Sequence, residues 1–186
     1  DEHQRALACY ALGNVHCALG NLEDSAACLQ RALVHYRPDM PVALYGDSAG
    51  IAAHAFLGWT LTLQGRLPQG LEHAVAATGL ARRLEYPSGL CYALVFSAET
   101  YRLRGEPRLA QAAAREVVAL AEQHGLATWG AFAQAFLGWA EVMLGEGDPV
   151  QMRDGLAGVG ACLEMIRSSV MSGVSAAFYT LLAECA

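Results

Sequence analysis

Apolar residues recur three and four positions apart in four stretches of the chain: Leu22, Ala26, Leu29 and Leu33; Leu71, Val75, Leu80 and Leu84; Leu109, Ala113, Val117 and Leu120; and Met152, Leu156, Val159, Leu163 and Ile166. That spacing places side chains on one face of an α-helix. It predicts helices over roughly 22–36, 68–84, 107–123 and 149–168. Pro68, Pro107 and Pro149 stand at the starts of three of them, where a missing N–H costs nothing because no intrahelical acceptor exists for it. Breaks at Arg37 to Gly46, Tyr86 to Ser88 and His124 to Thr128 separate these stretches from the apolar segments that follow. The pair Val117-Val118 lies inside a helical pattern, and strands are expected to be scarce.

The segments between the stripes carry a repeat. Phe56-Leu57-Gly58-Trp59 returns unchanged as Phe136-Leu137-Gly138-Trp139, eighty residues later. Each copy is followed seven residues after its glycine by another, Gly65 and Gly145. Leu12-Gly13 and Leu19-Gly20 keep the same frame, and Gly105 marks a third unit in which Ser97-Ala98 replaces Leu-Gly. The turn glycines 20, 65, 105 and 145 are thus spaced by 45, 40 and 40 residues. A small residue in mid-helix lets a partner helix approach closely, and a glycine past the last turn supplies a left-handed C-cap. Each motif therefore encodes one helical hairpin. A single hairpin cannot bury its apolar stripe, so stability must come from stacking, with an interface of about 400 Å² contributing roughly 10 kcal/mol before entropy. Truncation of Leu57 or Leu137 is expected to cost about 2–5 kcal/mol.

Several runs resemble a known family. Tyr45-Gly46-Asp47 through Gly58-Trp59, Leu63-Gln64-Gly65, Arg82 to Ser88, Arg104-Gly105-Glu106-Pro107 and Ala121-Glu122-Gln123-His124-Gly125 are similar to the tetratricopeptide-type region that lies C-terminal to the ATPase module of large bacterial signalling proteins. Those proteins carry class III adenylate or guanylate cyclase domains, or transcription-activator domains. The resemblance implies an all-α fold, a right-handed α-α superhelix of helix pairs, with units at 4–36, 48–84, 88–124 and 127–169 and a half unit at 172–186. The units exceed the repeat's usual length of about 34 residues. His16, Leu61 and Glu141 stand where an aromatic is usual, and Tyr101 keeps it. By the same resemblance the first helix of each pair lines a concave surface. Asn14, Trp59, Glu99 and Trp139 then point into it, with Tyr10, Thr62, Tyr92, Arg102 and Phe132 nearby. Packing of the two tryptophans in the inter-repeat core is the competing reading.

Composition narrows the chemistry. Hydrophobic residues make up 54% of the 186, yet no apolar run approaches the length of a membrane span. A net charge of −6 argues against a phosphate-binding surface, and all twelve basic residues are arginine, so no phosphate-loop or Schiff-base lysine exists. Six cysteines at 9, 17, 28, 91, 162 and 185 form no Cys-x-x-Cys pair and are expected to be reduced core residues of a cytoplasmic protein. The N-terminal Asp1-Glu2-His3-Gln4-Arg5 shows no export signal and reads as a cut inside a longer chain.

Two enzyme-like signals fail on context. Gly46-Asp47-Ser48-Ala49-Gly50 matches a nucleophile elbow, but that motif needs a parallel sheet, and a helix starting near Gly50 and capped by Asp47 or Ser48 is the simpler reading. Cys9, Cys17 and His16 lie within two helical turns, but His3, His35, His54, His73 and His124 do not complete a zinc ligand set. The expectation is a non-catalytic regulatory scaffold that needs no cofactor and contacts protein, within its own chain or in another. A sensor taking a peptide or small molecule in the concave groove is the alternative, and a hydrolase built on Ser48 is the remote one.

Overall fold

The computed structural model describes residues 1–39 and 48–145, together with Arg153, Ala157, Gly160, Thr180, Ala183 and Glu184. Between residues 1 and 145 the described residues form seven helices in succession: α1 (Glu2–Ala18), α2 (Leu22–His35), α3 (Ala49–Leu63), α4 (Leu67–Arg83), α5 (Pro87–Leu103), α6 (Pro107–His124) and α7 (Ala127–Leu144). No strand occurs among the described residues. Helices pair as α1–α2, α3–α4 and α5–α6, and each second helix also packs on the next first helix. The first helices touch one another in the series α1, α3, α5, α7. This is an all-α array of stacked helix pairs, an α-α superhelix of the tetratricopeptide-like kind. The stripe predicted at 149–168 and the half unit at 172–186 lie outside the described residues, apart from the six single positions named above.

The turns repeat one device. At Gly20, Gly65, Gly105 and Gly125 the backbone turns left-handed, with φ between 68° and 79°. The following N–H groups reach back five residues, Asn21 to the His16 carbonyl, Arg66 to Leu61 and Glu106 to Tyr101, all at 2.9 Å. These bonds satisfy carbonyls that the helix end leaves orphaned. Glu85 does the same work with φ 49°, although it is not a glycine. An L-residue there costs about 1 kcal/mol, and because the position is not glycine the α4–α5 turn carried no glycine signal in the sequence. That turn is also tighter than the sequence suggested, since α5 already starts at Pro87.

Close approach within the second pair depends on two facing glycines. A Cβ on Gly58 would sit 2.9 Å from the Gly70 carbonyl oxygen and 3.0 Å from the Ala74 nitrogen. Both neighbours are backbone and cannot step aside. Gly58→Ala is therefore expected to destabilise the chain by about 1–2 kcal/mol, the overpacking cost less the gain in helix propensity, which a shift in the urea midpoint would report. In the first pair, Gly13 faces Leu29, whose side chain would come within 2.6 Å of a new Cβ.

The inward faces differ from the predicted stripes in one respect. On α4 the buried positions are Gly70, Ala74, Ala77, Leu80 and Ala81, whereas Val75 and Leu84 are exposed. On α6 they are Ala110, Gln111, Ala113, Ala114, Val117 and Ala121, and Leu109 is exposed. Alanines face inward because small side chains let the second helices settle close to their partners, and the larger aliphatics flank the seam. Ser48 occupies the N-cap position of α3 but makes no capping hydrogen bond. Its hydroxyl instead donates to the Tyr36 hydroxyl at 3.4 Å, a correction to the expected cap. Asp47 lies outside the described residues.

Candidate functional site

Glu99 and Arg102 stand one helical turn apart on α5 and so share a face. The guanidinium grips the carboxylate through two bonds, Nε to Oε2 at 2.7 Å and Nη2 to Oε1 at 2.9 Å. Two parallel N–H···O bonds fix both planes and leave Nη1 aimed elsewhere. Both side chains are almost fully buried. Nη1 donates to the Glu184 carboxylate, and Nη2 also donates to Thr180 Oγ1 at 3.2 Å. From α7, the Trp139 indole N–H donates to the other Glu184 oxygen at 2.8 Å.

Electrostatics follow from this arrangement. Burial pushes the Glu99 carboxyl above its ordinary value, Arg102 pulls against that rise, and Glu184 adds to it. Burial opposes the charge on Arg102 as well, but its bonds to Glu99 and Glu184 more than offset this and hold it protonated. The indole of Trp59 on α3 lies beside Glu99 and favours its ionised form, without reaching hydrogen-bonding geometry.

A second cluster, of rings, lies on the N-terminal side of the polar one along the same helices. Phe56 of α3 meets Phe96 of α5 in a tilted contact at 4.7 Å, and Tyr92 lies 4.8 Å from Phe96. Trp129 of α7 meets Tyr92 edge-on at 5.5 Å and Phe132 at 5.7 Å. The hydroxyls of Tyr10 on α1 and Tyr92 on α5 share a hydrogen bond of 3.0 Å, passing over α3 to join the first and third pairs.

Of the nine residues selected from sequence, the structure gathers Trp59, Glu99, Arg102 and Trp139 into the polar cluster and Tyr10, Tyr92 and Phe132 into the aromatic one. Thr62 turns elsewhere: its hydroxyl donates to the Gly58 carbonyl at 2.8 Å and lies against Gly70 of the partner helix. Asn14 is half-buried on α1 and takes no part in these bonds. Both tryptophans are buried, Trp59 at 6% and Trp139 at 3% exposure, so this inner face is filled by its own side chains. Sequence reading missed Phe56 and Phe96, although each sits three residues before a selected position and hence on the same face. It also missed Trp129, Thr180 and Glu184.

Other candidate chemistry disperses. Cys9, Cys17, Cys28 and Cys91 are buried free thiols, and burial pushes the Cys91 thiol up to about 11. Among the described residues no three His, Cys, Asp or Glu side chains converge, and no helix is long and apolar enough to cross a membrane.

Between α3 and α4, His54 and His73 meet through their Nδ1 atoms at 2.9 Å, a contact that needs one donor and one acceptor. Burial, with Arg83 and the second imidazole beside it, pulls His54 down to about 4. His73 is also lowered by burial, with Arg66 lowering it further against the pull of Glu72. The unfolded chain binds these protons more readily. Stability is therefore present above about pH 6.5 and lost as pH falls toward 4, by about 2 kcal/mol for His54 after allowance for solvent. Thermal denaturation at pH 7 and pH 4.5 measures this, and His54→Gln should flatten the dependence.

No curated protein matches the chain. Residues 6–39, which take in most of α1 and all of α2, match the tetratricopeptide repeat, and the stacked helix pairs form a tetratricopeptide-like repeat region.

Proposed function

We propose that this array is a non-catalytic regulatory scaffold within a bacterial signalling protein of the cytoplasm, mediating contact with a neighbouring domain or with another protein. Tetratricopeptide repeats in general mediate contacts between proteins, and the helix pairs here supply rigid elements with charged and aromatic groups converging on one side. The observation that carries the reading is the Arg102 guanidinium, held rigid by Glu99 and engaging a carboxylate supplied from another part of the chain. Buried arginine with tryptophan is the composition of energetic centres in protein interfaces. Deletion of the array from its parent protein, followed by crosslinking and an assay of the parent's output, tests this. Loss of assembly or of regulation is expected; unchanged assembly together with unchanged regulation ends the proposal.

One feature supports the sensor alternative. The Trp59 indole N–H is buried beside the Glu99 carboxylate without reaching good hydrogen-bonding geometry, so a small effector with an acceptor atom would compete with Glu99 for it. Tryptophan emission compared between the native chain, Trp59→Phe and Trp139→Phe during effector titration separates the two readings. A response that survives in Trp59→Phe at full size counts against a site at that indole.

A further inference from the structure

A second apolar stripe runs along the outside of α1. Ala8, Leu12, Val15 and Leu19 follow one another at helical spacing and so share a face, which is open to solvent. Leu12 is 50%, Val15 55% and Leu19 69% exposed. The counterparts of this stripe in the later units are covered. In the frame set by Gly13, Gly58, Ala98 and Gly138, Ala8 corresponds to Ala53, Ala93 and Ala133, and Val15 to Thr60, Thr100 and Ala140; each of these is 0% exposed. The array also shows what covers them, since α3, α5 and α7 each receive the second helix of the preceding pair, α2, α4 or α6. On α3, Thr60 shares a hydrogen bond of 3.3 Å with Ser25 of α2. Gly70 and Ala110 hold the register of Ser25 on α4 and α6, and all three are buried, so the covering helix brings a small residue to this position. Just past the C-terminal end of α5, Arg104, the counterpart of Leu19, donates to the Leu67 carbonyl at the start of α4 at 3.2 Å. The covering helix therefore runs antiparallel, and its first turn meets this point.

On α1 the same positions carry different chemistry. Val15 returns no hydrogen bond to a serine in the place of Ser25, which favours glycine or alanine there. Leu19 offers apolar surface where Arg104 offers a guanidinium, which favours an apolar residue in the first turn of the covering helix. Building on the scaffold reading, we propose that the outer face of α1 docks an amphipathic helix of a partner protein, laid antiparallel as α4 lies on α5. That helix carries an apolar residue in its first turn against Leu19 and glycine or alanine three residues later against Val15. The partner thereby adds one helix to the stack and closes a face that the array covers in every later unit described.

A fluorescein-labelled peptide of residues 66–85, which carries Leu67 and Gly70 in this pattern, tests the site by fluorescence anisotropy with the full chain. Saturable binding is expected. Val15→Glu in the chain and Gly70→Leu in the peptide are each expected to weaken it at least tenfold. Because Val15 is exposed, its replacement should leave the fold intact, and matching circular dichroism melts check this; if they do not match, Leu19→Gln carries the comparison. Absence of binding overturns the proposal, as does binding that Val15→Glu leaves unchanged, the result that exchange of the peptide for the resident α4 would give. Self-association of the chain in sedimentation velocity that Val15→Glu abolishes also overturns it, because a second copy would then fill the face. Each of these failures leaves the scaffold reading to its own deletion experiment, since an array can contact its partner through another surface.

Discussion

Arg102→Ala is expected to lower the unfolding free energy by about 3–5 kcal/mol at pH 7, because it strands the Glu99 carboxylate in a site with almost no water. The loss should shrink in acid. Burial already raises the Glu99 pKa above its ordinary value, and without the guanidinium it rises further. The native state then holds a proton that the unfolded chain releases, so stability increases as pH falls through the raised pKa. Removing both charges at once, Glu99→Leu with Arg102→Met, is expected to restore most of the loss, since well-packed apolar residues often match a buried ion pair. Urea denaturation of the three chains at pH 7 and pH 5 checks each part. A single substitution that leaves the midpoint unmoved would mean that water enters the pair freely.

The second large effect distinguishes two copies of one motif. Leu57 is fully buried in the core, at 0% exposure, whereas Leu137 is only partly buried. Leu57→Ala should cost about 3–5 kcal/mol and Leu137→Ala about 1–2 kcal/mol. Equal losses, read from urea midpoints of the two variants, would contradict this difference in packing. Sequence alone assigned the same cost to both. The difference arises because Leu57 has a helix pair described on each side of it, while Leu137 sits on α7, at the end of the described stack.

That contrast shows what a sequence of this kind discloses. Helix boundaries were legible because Pro68, Pro107 and the glycines at 20, 65, 105 and 145 punctuate the chain with residues whose backbone physics is specific. The spacing of Glu99 and Arg102, three residues apart on α5, alone makes an ion pair geometrically available, and the pair forms. Which large side chains on α4 and α6 face inward was not legible, because alanine-rich helices offer several faces of similar polarity and only the partner's shape selects one. Glu184 was likewise invisible. Eighty-two residues separate it from Arg102, and no local pattern announces a contact made by the path of the whole array.

The bond between the Tyr10 and Tyr92 hydroxyls couples units that are not adjacent in the series. A spiral whose coils touch only their neighbours can lengthen smoothly, like a spring. With first and third coils clasped across the second, lengthening must also part that clasp, which adds about 1 kcal/mol of resistance to stretching those three coils. The pitch of those coils is therefore held stiffer than neighbour-to-neighbour packing alone would hold it.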